Sequence, residues 1–261
     1  MTQLFNSSTP ILFVQYPVGA GGWFLTSLLY TAFNPTESIK HNARGSGHAN
    51  TKITSLNNFC TISLDDTYQS ILYQTKLTMS RSDKIEYIRN TLINNPYKEE
   101  TIIHTISIHC QDINIFLEAF PNSKVIQIEI TDEHIPLCTF NFIHKVLKEN
   151  LIYFKKICND YCKNFEIEKT YLENINLTAL ANLKWISSLI ELSNIKSEIL
   201  EKFESQVLTI EYDQYIKYAN ANHLIDVIEN FLQATWSMQI KQQLVDELEL
   251  YRIIQPTMPT T

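Results

Sequence analysis

Glycine is scarce in this chain, and the few glycines lie close together. The 261 residues include 5 glycines, all of them between Gly19 and Gly47. Glycine reaches backbone conformations that other residues avoid, so this freedom is concentrated where a ligand can approach the main chain closely. The stretch around Gly19 is therefore the first candidate for a functional loop.

Excess basic charge, paired cysteines and long apolar runs are also missing. A net charge of −7 argues against a nucleic-acid partner, which usually requires a clustered basic face. The 5 cysteines are scattered without a CxxC pair, which favours reduced thiols over disulfides or a zinc site. The N-terminus has no basic region, and the apolar run from Ile11 to Val14 is too short for a signal peptide or a membrane span. We expect a soluble, cytoplasmic protein without a membrane span or a bound metal.

The chain also lacks the marks of a domain boundary. No linker rich in proline, glycine or serine separates two halves, and no fixed-period repeat is visible. With 44% hydrophobic residues, the chain is long enough for one sizeable core. We therefore predict a single domain spanning residues 1–261.

What is present begins with a strand, a loop and a helix between Pro10 and Leu29. An apolar run is followed by three glycines and then by a second apolar run of helical length. Such a loop places backbone N–H groups at a helix N-terminus, which is an anion-binding arrangement. The loop lacks the lysine of a GxxxxGK[ST] nucleotide loop, and Phe24 stands where GxGxxG requires its third glycine.

The rest of the chain indicates an α/β fold. A predicted strand, a helix of roughly ten residues and another strand follow one another, which is the spacing of a crossover in a parallel sheet. We expect a central, mainly parallel sheet of four strands and a helix-rich C-terminal half. The elements that carry this prediction are strands at 101–108, 124–130 and 206–211, with helices at 65–77, 82–93 and 111–120.

Three segments resemble the sulfotransferase family, in the family's order and over roughly half the chain. Pro17 to Trp23 is similar to the family's 5′-phosphosulfate loop, which begins with proline and ends with tryptophan. Ser107 to His109, together with the strand from Lys124, is similar to its strand, histidine, helix and strand segment. Val207 to Phe231 resembles its late strand and the helix that follows.

The resemblance implies a P-loop-like three-layer domain and a function. The implied donor is 3′-phosphoadenosine 5′-phosphosulfate, and the reaction is transfer of its sulfuryl group to a hydroxyl acceptor. His109 is implied as the catalytic base, a role that suits a group titrating near neutral pH. The residues implied to bind the donor are Gly19, Ala20, Gly21, Gly22 and Trp23.

Three positions depart from the family and keep a second function open. Val18 stands where the family has a loop cation, Ile130 where it has an arginine, and Cys138 where it has a serine. These departures favour a non-catalytic module that kept the fold and binds a nucleotide or another anionic small molecule. If the chain is an enzyme, we expect Arg44, Arg81 or a lysine from elsewhere to replace the missing cation. A third interpretation, a kinase-like transferase, would need a magnesium site at Asp132 or Glu129.

Overall fold

The computed structural model describes the chain in nine ranges. These are residues 10–17, 19–33, 61–63, 80–93, 104–109, 112–139, 141, 198–216 and 220–254.

A five-stranded sheet forms the centre of the fold. Its strands lie in the order β2-β3-β1-β4-β5, and every neighbouring pair is parallel. The α/β prediction is therefore confirmed. The strands are β1 (Ile11–Gln15), β2 (Thr61–Ser63), β3 (His104–His109), β4 (Lys124–Glu129) and β5 (Val207–Glu211).

Six helices with defined bounds accompany the sheet, and the described residues 135–139 are also helical. None of the described helices is long and apolar enough to cross a lipid bilayer. The helices are α1 (Gly22–Phe33), α2 (Arg81–Ile93), α3 (Asn114–Ala119), α4 (Tyr212–Ile216), α5 (Ala221–Leu232) and α6 (Met238–Ile254).

Both faces of the sheet are covered, as the apolar sequence of β1 requires. Every residue of β1 is buried, which is typical of a central strand in a parallel sheet. Leu12 and Val14 face a core shared with α1, α5 and α6. Phe13 faces a second core with α2 and α3, where its ring meets that of Phe116 edge-on at 5.1 Å. The sheet is thus a layer between two helical layers.

The last helix reaches this core through one apolar stripe. Leu244, Val245, Leu248 and Tyr251 recur at helical intervals in α6, and all four are buried. The preceding helix, α5, ends at Gln233, whose left-handed conformation (φ 55°) turns the chain back towards α6. This turn brings the C-terminal residues of α6 to the N-terminus of α1.

Candidate anion-binding site

The loop after β1 has a conformation that requires glycine. Gly19 and Gly21 lie in the left-handed region, with φ of 82° and 76°. Ala20, between them, is fully buried and donates its N–H to the carbonyl of Pro17 at 3.0 Å. Residues with a Cβ atom adopt this region only with strain, so the sequence Gly-Ala-Gly fits the turn.

The same glycines are enclosed by other parts of the chain. A Cβ atom on Gly19 would lie 2.0 Å from the carbonyl oxygen of Cys138, and one on Gly22 would lie 1.9 Å from the ring of Tyr16. At Gly21 the close neighbour is the hydroxyl of Tyr251, 2.2 Å from the added atom. The loop is therefore fixed in shape by its surroundings.

Backbone N–H groups gather where the loop enters α1. The carbonyl of Gly21 accepts from the N–H groups of Phe24 and Leu25, at 3.0 and 3.3 Å. The first N–H groups of a helix have no acceptor inside it, and those of Gly22 and Trp23 have none among the described residues. These two groups and the positive end of the helix dipole can hold an anion without a charged side chain.

The loop lies at the edge of the sheet where ligands of α/β proteins bind. Strands β1 and β4 are neighbours, and the chain leaves them in opposite directions, towards β2 and β5. Such a change of direction opens a crevice at the carboxyl ends of the two strands. The loop therefore occupies the position that the fold favours for a ligand.

His109, the predicted catalytic base, is the last residue of β3. The register pairs Gln15 with Ile108, so the backbone of His109 lies beside the first residue after β1. The structure thus brings the backbone of His109 to the same edge as the glycine loop. Its side chain, like those of Val18 and Trp23, lies outside the described part of the chain.

Ile130 and Cys138, aligned with the family's arginine and serine, both belong to the core. Their exposed fractions are 2% and 0%. Burial raises the pKa of the Cys138 thiol to about 12, so the sulfur stays protonated at neutral pH. Neither side chain presents a group to a ligand, and Cys138 meets the site through its backbone carbonyl against Gly19.

A buried histidine, His134, joins the segments that follow β4 and β5. Its Nδ1 atom accepts from the backbone N–H of Thr131 at 3.2 Å, which places the ring proton on Nε2. Nε2 then donates to Asp213 Oδ1 at 2.7 Å. Sequence reasoning missed this pair, although the spacing of Thr131 and His134 is that of a capping box at the end of a strand.

The same histidine belongs to a group of residues with metal-ligand chemistry. Glu133, His134 and Asp213 place their ligand atoms within 4.8 Å of one another. Because a backbone N–H faces Nδ1, the ring proton points at Asp213 and no lone pair is left for a metal. The pair therefore connects the segments that follow β4 and β5 at this edge of the sheet.

We expect Asp213→Ala to lower the free energy of unfolding by about 1 to 3 kcal/mol, because it leaves the buried Nε2–H of His134 without an acceptor. Asp213→Asn keeps an acceptor oxygen and should retain most of the stability. Urea unfolding at neutral pH measures both variants. Equal losses would contradict a hydrogen-bond role and assign the effect to the carboxylate charge.

The expected replacement for the missing loop cation is not Arg81. Arg81 binds Asp112 at 2.6 Å and Glu118 at 3.1 Å, beside α3 on the face of the sheet opposite to α1. The Arg81 alternative is wrong because Arg81 begins a helix of the other layer, whereas Arg44 lies outside the described residues and a lysine from elsewhere stays a prediction. Arg252 of α6 donates to the carbonyls of Gln214 and Tyr215, both at 3.0 Å.

Comparisons with known proteins give a distant structural likeness and no match to a known family. No family model matches the chain, and no curated protein matches it. Among solved structures, a sulfotransferase from Alicyclobacillus acidocaldarius is similar at 11% identity, over 94% of each chain, with a TM-score of 0.33. A likeness this distant carries no argument about the fold or the activity of this chain.

Proposed function

We propose that this chain binds the phosphate of a nucleotide, or a similar small anion, at the loop from Gly19 to Trp23. The supporting observation is the conformation of that loop, with two left-handed glycines at the N-terminus of α1. Residues 1–261 form a single P-loop-like domain in this proposal. The nucleotide that the sequence resemblance suggests is 3′-phosphoadenosine 5′-phosphate or its sulfated donor form.

Binding through backbone groups suits a loop that has lost its cation. N–H groups at a helix N-terminus need no side chain, so Val18 does not remove them. Acidic side chains follow β4 and β5 at this edge of the sheet, and their charge would repel an anion. The glycine loop is therefore the part of the edge that is suited to bind one. The proposal therefore depends on main-chain geometry.

Sulfuryl transfer at this site is the second candidate function. In that reaction the acceptor oxygen forms a bond to sulfur, the S–O bond to the donor phosphate breaks, and 3′-phosphoadenosine 5′-phosphate leaves. His109 would take the proton of the acceptor hydroxyl. The position of the His109 backbone at the site edge supports transfer, whereas the burial of Ile130 and Cys138 supports binding without transfer.

Selective labelling tests anion binding without any mutation. A protein labelled with ¹⁵N at glycine gives at most five backbone amide signals, three of them from the loop, because the chain has 5 glycines. We expect inorganic phosphate or 3′-phosphoadenosine 5′-phosphate to shift the signal of Gly22 downfield, since its N–H gains a charged acceptor. The remaining two signals belong to Gly45 and Gly47. Saturating ligand with no change in the Gly19, Gly21 and Gly22 signals would contradict the proposal.

A turnover assay, run beside calorimetric titration, then separates the two candidate functions. Both candidate functions predict that 3′-phosphoadenosine 5′-phosphate still binds after His109→Ala. Release of that nucleotide from its sulfated form in the presence of a hydroxyl acceptor, abolished by His109→Ala, would establish transfer. Binding without turnover across an acceptor screen would leave the non-catalytic function.

A further inference from the structure

Two tyrosines from the C-terminal part of the chain contact the glycine loop. The hydroxyl of Tyr215 donates to the carbonyl of Gly21 at 2.9 Å, across 194 positions of sequence. The ring of Tyr251 stacks on Phe24 with centroids 3.8 Å apart and planes 2° apart, and its hydroxyl lies against Gly21. Neither the glycine motif nor the proposed anion binding accounts for these contacts.

The Tyr215 contact acts on one peptide group. The peptide unit between Gly21 and Gly22 is trans, so the Gly21 carbonyl and the Gly22 N–H point in opposite directions. Tyr215, Phe24 and Leu25 all donate to the carbonyl side. A donor that holds the carbonyl therefore also aims the Gly22 N–H away from the helix, towards the free end of α1.

The Tyr215 hydroxyl is suited to remain a donor. The residue is fully buried, and that burial raises the pKa of its hydroxyl well above the usual value. It thus keeps its proton across the pH range in which the protein would work. A buried hydroxyl that stays protonated is a fixed donor for the loop.

The last helix holds Tyr215 in place. Arg252 donates from Nε to the carbonyl of Tyr215 and from Nη2 to that of Gln214, which ties α6 to the C-terminal end of α4. The adjacent Tyr251 packs against Phe24 on α1 and lies 6.1 Å from the Tyr215 ring. The elements α1, α4 and α6 therefore meet at Gly21.

We propose that Tyr215 is a positioning residue for the anion site, its hydroxyl aiming the Gly22 N–H at the ligand while α6 holds the tyrosine in place. This inference rests on the proposed anion binding and adds a specific residue to it. The ligand does not touch Tyr215. Its effect passes through the peptide unit between Gly21 and Gly22.

Tyr215→Phe tests the proposal in the glycine-labelled protein. We expect the dissociation constant for 3′-phosphoadenosine 5′-phosphate to rise about threefold to tenfold, the loss of one hydrogen bond to the loop. The phosphate-induced shift of the Gly22 signal should shrink at saturation, which a change in stability alone would not produce. Thr31→Val is the matched control, since it removes a buried hydroxyl bond of 3.1 Å from the far end of α1.

The outcomes separate this inference from the proposed function. If the unsubstituted protein binds neither phosphate nor the nucleotide, the proposed function fails and the inference fails with it. If it binds and Tyr215→Phe binds equally well with the same Gly22 shift, only the inference is overturned. Should Tyr215→Phe not fold, Arg252→Gln decides, because freeing Tyr215 from α6 should also weaken binding, and unchanged binding would overturn the proposal.

Discussion

Replacing Gly19 with alanine is expected to lower the free energy of unfolding by about 3 to 5 kcal/mol, a severe effect for one methyl group. Two costs add at this position. The φ of 82° strains any residue with a Cβ atom, and the new atom would lie 2.0 Å from the carbonyl oxygen of Cys138. A backbone carbonyl cannot rotate away as a side chain can, so the segment after β4 must move.

Gly21→Ala is the matched control for this prediction. Its φ of 76° gives nearly the same strain, but the obstructing atom is the hydroxyl at the far end of Tyr251. We expect a loss of about 1 to 3 kcal/mol, with part of it recovered when Tyr251→Phe removes that hydroxyl. Urea unfolding of Gly19→Ala, Gly21→Ala and the double variant Gly21→Ala with Tyr251→Phe measures these losses of stability. Equal losses at Gly19 and Gly21 would show that Cys138 does not confine the loop.

Much of the fold follows from local pattern in the sequence. The apolar runs of β1 and β4 predicted strands because a parallel sheet covered on both faces buries most residues of its central strands. The predicted strand at 101–108 corresponds to β3, which extends to His109. The short strand β2 was missed, because a strand of three residues is too short to give a periodic signal.

The candidate anion site was also predictable from the sequence only in part. The left-handed glycines were predictable as a loop, since three glycines between two apolar runs indicate a tight turn at a helix start. The contacts of Tyr215 and Tyr251 were not, because they depend on how α4 and α6 pack against α1 across nearly the whole chain. Local patterns carry no information about which buried tyrosine will meet which loop.

The departures from the family pattern take on physical meaning only in the structure. Ile130 and Cys138 could be recognised from sequence as residues that cannot bind phosphate, but not as part of the core. Arg81 was predicted near the loop from its charge alone. Its helix packs on the opposite face of the sheet, where two carboxylates pair with it.

Tyr251→Ala is the second substitution with a large expected effect. Tyr251 is 6% exposed, and its ring lies parallel to that of Phe24 at 3.8 Å. Truncating a buried aromatic residue costs about 3 to 5 kcal/mol through lost apolar burial and the cavity left behind. We expect the urea midpoint to fall accordingly, with Tyr251→Phe keeping most of the stability because the stack remains.

Leu250→Ala separates this effect from a general weakening of α6. Leu250 precedes Tyr251 in the same helix but is 43% exposed, so its truncation should change the free energy of unfolding by no more than about 0.5 kcal/mol. Comparable losses at the two positions would mean that the end of the helix, and not the ring over the loop, carries the stability. A large loss confined to Tyr251 would show that the loop at the start of α1 depends on a side chain from the last helix. The candidate anion site would then be assembled only when the C-terminal helix has packed.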